Sequence, residues 1–320
     1  MNSNRSMEHF VTLFDSKFLP LGMALHDSLM THAQPFHLWI LCMDEMVEKQ
    51  LKQISLSHVT LIPLKEIETQ ELLAVKPGRT QGEYCWTLTP FTPHTVFDRD
   101  TTVERVTYLD ADMFFFDDPR ILLCELNQSG KHVLITEHAY APEYDYLRPL
   151  CGRFCVQFTT FRSTIQAAKI MKWWQNKCLD WCFANFEDGR FGDQKYLDLW
   201  PDLFSEEIHV LKQVNKTLAP WNVRYFTNLI SDNLNPVFFH FHNLRIIAPS
   251  RVRLYGDYRV GKKGERFYDL YFLRLSKSIQ KLEHFNIPLS VIRPTKEKWA
   301  LLKYFKRVYL SRTERYKNIT

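Results

Sequence analysis

The fold class this sequence predicts is α/β, with a mixed, mainly parallel sheet flanked by helices and a helical, basic C-terminal extension. Strand-length apolar runs alternate with segments of helical periodicity, the pattern of a sheet covered on both faces. The runs are continuous rather than alternating, as in Phe36–Met43 (FHLWILCM), which marks strands buried on both sides. At 320 residues, 45% apolar and 24% charged, the chain is long enough for one large domain and too apolar for disorder.

The elements follow in order. An apolar strand, His9–Phe14, ends at Asp15-Ser16-Lys17. Leu21, Ala24, Leu25, Leu29 and Met30 then repeat at helical spacing. Phe36–Met43 is the next strand, Glu45–Ile54 a helix and His58–Pro63 a short strand. Glu83–Phe97 reads as mostly helical and leads into the strand Arg105–Leu109, whose end carries Asp110-Ala111-Asp112. His132–Thr136 and Phe154–Phe161 continue as strands. Thr164–Phe183 is a long helix, with Ile165, Ala168, Met171, Trp174 and Leu179 on its apolar side. After the break at Asp188–Gly192, a helix is expected from about Asp193 to Trp200, because the residue before Pro201 is pushed away from helical geometry. Ile208–Leu211 and Val237–Phe241 are further strands. Beyond Pro249 the chain turns helical, basic and aromatic, over 266–284 and 296–316. The division is thus a domain over 1–250 and a helical extension over 251–320.

Charge and composition exclude several classes. The formal charge of +5 comes from the tail, since Lys296–Lys317 holds eight basic and two acidic residues and the other residues nearly balance. A nucleic-acid binder needs basic residues spread over a face of the body, so no nucleic-acid partner is expected. There is no G-x-G-x-x-G and no G-x-x-x-x-G-K-[ST], which argues against a dinucleotide-dependent dehydrogenase and a P-loop NTPase. A sugar-nucleotide pyrophosphorylase would open with a Gly-rich loop where this chain has Leu13-Phe14-Asp15-Ser16. Seven cysteines form no C-x-x-C and are odd in number, which fits a reducing compartment and thiols used as small core residues. The start has no signal-like apolar region and no run is long enough to span a membrane, so a cytoplasmic protein is expected. Trp299, Leu302, Phe305, Val308 and Tyr309 interleave with basic residues in the tail 296–317. Such a helix fits an anionic membrane surface, giving peripheral attachment on the inner face of the cytoplasmic membrane, or docks its apolar stripe on the domain.

Three places carry the chemistry. Asp110 and Asp112 end a strand in an open α/β sheet, where ligands bind. Two carboxylates among Leu109, Met113 and Phe114 repel one another unless a hard divalent cation neutralises them. His240 and His242, two apart on an apolar strand, share a side. An imidazole there can complete a mixed carboxylate and nitrogen site suited to Mn2+, and Arg245 just beyond suits a diphosphate. Asp193 sits at a helix start, as a capping residue would, beside Gln194, which has no evident structural role.

At these places the chain resembles the metal-dependent nucleotide-sugar glycosyltransferases of the Rossmann-like GT-A fold, in particular the retaining family 8 that includes glycogenin and bacterial lipooligosaccharide galactosyltransferases. The resemblance runs from about Phe10 to Arg245 in motif order. It implies Asp110, Asp112 and His240 as ligands of Mn2+ or Mg2+, with His242 as the alternative imidazole. It implies Asp193 and Gln194 near the anomeric carbon, and Phe14, Asp15, Lys17 and Ala111 around the donor, while Arg245 rests on its own planar fork because the family's lysine is missing. The implied activity is hexosyl transfer from a nucleotide-diphospho-sugar, UDP-hexose by precedent, to a glycan or lipid-linked acceptor in surface-polysaccharide or lipopolysaccharide assembly, with retention. An inverting enzyme would need a carboxylate base, for which Glu137 and Glu143 are available, with His138 a further candidate. A degenerate binding or scaffolding relative is the third reading, kept open by Phe154-Cys155-Val156-Gln157, where the family carries Asn-x-Gly, and by the absence of glycine and Lys-Pro-Trp after His240.

Overall fold

The computed structural model describes residues 6–230, 234–292 and, as a backbone strand, 316–318. The predicted tail helix therefore lies almost wholly outside the described residues. Its end, Tyr316–Asn318, is an edge strand instead.

Seven strands make the central sheet. They are β1 (Glu8–Phe14), β2 (Phe36–Cys42), β3 (Val59–Pro63), β4 (Arg105–Leu109), β6 (Val133–Glu137), β7 (Phe154–Arg162) and β8 (Ile208–Val210), with the short β5 (Met113–Phe115) outside it. The order is β3-β2-β1-β4-β7-β6-β8, parallel except where β7 runs against β4 and β6. From β1 the chain moves outward through β2 to β3 and then returns to lay β4 on the other side of β1. That reversal is a topological switch point, and it opens a crevice between the carboxyl ends of β1 and β4. Asp15 follows one of these strands and Asp110 the other.

Local signals explain most boundaries. Helix α1 (Leu19–His32) starts with a proline in its first turn, and its Gly22 lies against the Phe14 ring, which a Cβ would meet at 2.5 Å. Helix α2 (Glu45–Ile54) is capped by Asp44, which accepts from Val47 N at 2.6 Å and from Ser16 N and Oγ at 3.0 Å each. One carboxylate thus starts a helix and pins the loop after β1. Thr80 and Glu83 form a reciprocal capping box on the Gln81–Leu88 helix.

Two expectations need correction. The helix Ile165–Asp180 buries Ala167, Ile170, Met171, Trp174 and Cys178, while Ile165 is 73% exposed and Ala168 also faces out. Trp174, packed against Trp200 and Phe161, sets the phase. The segment from Asp193 is a 3-10 turn, Gln194–Leu199, and Pro201 lies in the first turn of the short helix Trp200–Leu203. Proline is tolerated there because its missing N–H has no intrahelical acceptor.

A second sheet positions the late histidine. Strand β9 (Thr217–Leu218) pairs in parallel with β10 (Phe238–His240), which runs antiparallel to β5, with His240 opposite Met113. Phe239 and Phe241 then pack on Phe267, Tyr268 and Tyr271 of the Gly261–His284 helix, in the core cluster shared with Leu21 and Ala24 of α1. Two further short strands, β11 (Arg245–Ala248) and β12 (Arg251–Arg253), pair with each other, and β12 also pairs with Tyr316–Asn318. Among the described residues, no helix is long and apolar enough to cross a membrane.

One buried charge anchors the amino-terminal strand. Glu8 is 2% exposed and accepts from Arg105 Nε at 2.8 Å, with Arg120 Nε at 3.4 Å. Replacing Glu8 by Ala removes the carboxylate that Arg105 and Arg120 share while leaving them Asn127, Asp118 and backbone acceptors, and urea unfolding is expected to show a loss of about 1–3 kcal/mol. A loss below about 1 kcal/mol would mean water replaces the carboxylate.

Candidate functional site

The crevice deepens into a cavity of about 630 Å³ at the sheet's switch point. The residues expected to hold the metal and the donor line it: Phe14, Asp15 and Lys17 after β1, Asp110, Ala111 and Asp112 after β4, and Asp193, Gln194, His240, His242 and Arg245. Residues over 200 positions apart meet here because β1, β4 and the β5–β10 ladder all end at this point.

The centre is a charge cluster. His240 Nε2 lies 3.0 Å from Asp112 Oδ1 and 3.7 Å from Asp110 Oδ2. Strand pairing sets this distance, because Phe241 N donates to Asp112 O at 2.7 Å. Arg245 donates to the other Asp112 oxygen at 3.2 Å and to Leu244 O at 2.7 Å, with its guanidinium over the Phe18 ring. Tyr108 donates to Asp110 Oδ1 at 3.0 Å.

These contacts set the ionisation. Burial pushes Asp110 up to about 6, and His240 pulls it only part of the way back. Burial would raise Asp112 as well, but His240 and Arg245 outweigh it and hold Asp112 far below the carboxylate range. His240 is itself raised, because Asp112 and Asp110 outweigh its burial. Opposed shifts in adjacent carboxylates mark a built site more than a solvated turn. His242 lies just past the strand end rather than within it, and burial beside His240 lowers it to about 3. It faces Trp221 and Tyr258, whereas His240 Nε2 lies within hydrogen-bonding distance of Asp112, so His240 is the imidazole the fold brings to the aspartates.

Two residues that the sequence leaves as a doubtful departure belong to the centre. Gln157, 1% exposed on β7, has Oε1 2.7 Å from His240 Nδ1, so with Nδ1 protonated the bond turns Nε2 toward the carboxylates. Cys155 is two residues away on the same face, and ligand atoms of Asp110, Cys155 and His240 all lie within 4.8 Å of one another. The available signal is the Gln itself, a buried amide in an apolar strand that needs a partner.

Asp193 and Gln194 form the second wall. Asp193 is 2% exposed, makes no cap hydrogen bond despite its place at a helical start, and leaves Oδ2 without a partner. Burial, with Asp110 adding to it, pushes its carboxyl up to about 7. Gln194 Nε2 donates to Cys151 O at 2.9 Å, which fixes its amide plane. Gly192 just before them holds φ +52° with Trp86 3.3 Å from where a Cβ would sit. Toward β1, Asp15 accepts from Lys17 N and Phe18 N at 3.0 and 3.3 Å.

The far end is aromatic. His138 stacks on Tyr140 with ring centroids 4.6 Å apart, and Trp221 Nε1 donates to His138 O at 2.6 Å. Burial lowers His138 to about 3, making it a weak base. Glu137 and Glu143 do not line the cavity, because Glu137 is held by Arg153 at 2.6 Å and Glu143 lies 3.7 Å from Arg224. All seven cysteines are free.

No protein-family model matches the chain. It is similar to two uncharacterized proteins of Bacillus subtilis (strain 168): YfnD, 28% identical over 86% of this chain and 91% of that protein, and YfnF, 29% identical over 76% and 84%. Among solved structures, the apo form of the glycosyltransferase GlyE of Streptococcus pneumoniae TIGR4 aligns with a TM-score of 0.51 and 14% identity, over 91% of this chain and 66% of that one. The galactosyltransferase LgtC, solved with donor and acceptor sugar analogues, aligns at 0.50 and 11%, over 82% and 95%. The bifunctional glycosyltransferase WbbM aligns at 0.50 and 14%, and the chain spans about half of it, 53%. The fold is that of the GT-A glycosyltransferases.

Proposed function

We propose that the chain is a glycosyltransferase that moves a hexose from a nucleotide-diphospho-sugar, UDP-linked as the first case to test, to a glycan or lipid-linked acceptor in surface-polysaccharide or lipopolysaccharide assembly. The observation that carries this reading is the convergence of Asp110, Asp112 and His240 at the switch-point cavity, opposite Asp193 and Gln194. Two carboxylates and an imidazole nitrogen are a donor set that fits Mn2+ or Mg2+. When bound, such an ion stabilises the charge that develops on a departing nucleoside diphosphate.

The protein groups divide the remaining work. Arg245, already turned toward Asp112, adds positive charge where the diphosphate would lie. Asp193 and Gln194 are the electron-rich groups for an anomeric carbon becoming positive. The orphaned Asp193 Oδ2 and the fixed Gln194 amide are arranged before any substrate arrives, which is the condition for electrostatic stabilisation. Retention is the reading to test first: Glu137 and Glu143, two candidate bases for an inverting reaction, are engaged outside the cavity. The aromatic end formed by Tyr140, Trp221 and Tyr258 suits the apolar face of an acceptor sugar.

A screen of nucleotide-sugars for metal-dependent thermal stabilisation tests the reading, since a ligand bound only by the folded state raises its apparent stability. One donor class is expected to stabilise the protein with Mn2+ and not with EDTA, and to be hydrolysed slowly. A protein that binds donors without hydrolysing any would be a scaffold.

Gln157 supplies a finer prediction. Gln157→Leu deprives the buried His240 Nδ1–H of its acceptor, and cation affinity measured by titration calorimetry should fall about 10–100-fold, as for other partners of a ligating histidine. Gln157→Glu keeps an acceptor and should retain most of the affinity. Equal losses in both variants would reduce Gln157 to a packing role.

A further inference from the structure

Strand β7 brings a thiol to the carboxylate and imidazole cluster. Cys155 is 3% exposed yet lines the cavity, and among the described residues Asp110, Cys155 and His240 are the group of three metal-ligating side chains whose donor atoms fall within 4.8 Å of one another. Cys155 and Gln157, two apart in an extended strand, face the same side. The bond from Gln157 to His240 therefore fixes the imidazole beside the thiol as well as beside the aspartates.

We propose that Cys155 is a further ligand of the cation held by Asp110 and His240, so that the site, able to hold Mn2+, binds a thiophilic divalent ion, Zn2+ or Co2+, more tightly through sulfur as well as oxygen and nitrogen. The inference rests on the reading of Asp110 and His240 as metal ligands given above. Its chemical ground is the donor set. Mn2+ and Mg2+ favour oxygen, whereas thiolate and imidazole together favour borderline ions. Donors around a tetrahedral ion with bonds of about 2.0–2.3 Å sit roughly 3.5 Å apart, so side-chain adjustment of about 1 Å closes this set. The thiol proton passes to solvent as the sulfur–metal bond forms. Of the other cysteines lining the cavity, Cys85 and Cys151 belong to no such group.

The test is optical titration of the reduced, metal-stripped full chain with Co2+ alone, followed by competition with Zn2+. One equivalent of Co2+ is expected to produce a sulfur-to-cobalt charge-transfer band with the intense visible bands of a tetrahedral ion. Cys155→Ser should lose the charge-transfer band with an unchanged circular dichroism spectrum, and its Zn2+ affinity should fall about tenfold or more, at least what a partner of a ligating histidine contributes. Cys155→Ala provides the same comparison if the serine variant folds poorly. The proposal is overturned if the wild type shows no sulfur band, or if the band survives in both variants and so arises from another thiol. Visible bands lost in Asp112→Asn but lacking any sulfur contribution would retain the carboxylate and imidazole site while removing Cys155 from it. No cobalt binding at all would remove both.

Discussion

Asp112→Asn is expected to lower metal-dependent donor hydrolysis and sugar transfer by about 10²–10³-fold or more, the range found when one preorganised electrostatic group is removed from an active site. The reason lies in what this carboxylate touches. One oxygen meets His240 Nε2 at 3.0 Å and the other meets Arg245 at 3.2 Å. An amide keeps the shape and supplies no charge, so His240 and Arg245 lose the group that holds them together and a cation loses an anionic ligand. The same variant should show little response to Mn2+ in thermal melts. Initial rates measured across a range of Mn2+ concentrations check both points. A variant that saturates with metal at wild-type concentrations and turns over normally would place the ion elsewhere.

Asp193→Asn should have two separable effects. Transfer is expected to fall above neutrality, where the wild-type carboxyl is ionised, because the amide cannot oppose positive charge at the anomeric carbon. Stability is expected to rise, and to rise more at higher pH. The sign follows from the raised carboxyl. Between the ordinary carboxylate range and about 7, the unfolded chain has lost this proton while the folded chain keeps it. Stability of the wild type therefore falls across that window and levels off above it. A shift of that size corresponds to at most roughly 4 kcal/mol. Urea unfolding in EDTA, at mildly acidic pH and above neutrality, reads the difference between wild type and variant. A difference independent of pH would mean that the carboxyl titrates normally and is not held in a dry pocket. A less stable variant at high pH would mean that its charge is paired.

Much of this architecture was legible before any coordinates, for a physical reason that differs by element. Continuous apolar runs such as Phe36–Cys42 are strands because nothing else buries both faces of so short a segment. The helix Glu45–Ile54 was legible from its periodicity, whereas the cap at Thr80 starts the Gln81–Leu88 helix earlier than the expected Glu83. The aspartate pair was legible because two carboxylates at a strand end in apolar surroundings require a counter-charge. What escaped depends on partners distant in sequence. His240 was named for the site, but its choice over His242 follows from β10 pairing with β5 in a second sheet, and no local pattern announces that pairing. Gln157 meets His240 across 83 residues. The cap expected of Asp193 is absent because the segment winds as a 3-10 turn and buries the carboxylate instead. The phase of the Ile165–Asp180 helix was set by Trp174 against Trp200, a contact that outranks the apolar count along the helix.

The proposed cation sits where Asp110, Asp112 and His240 converge and holds a diphosphate. Anomalous diffraction at the manganese edge, from crystals grown with Mn2+ and a nucleoside diphosphate, locates it. A single strong peak is expected within bonding distance of those three side chains and of phosphate oxygens. A diphosphate bound in the cavity with no peak there, or with the peak on other residues, would contradict it.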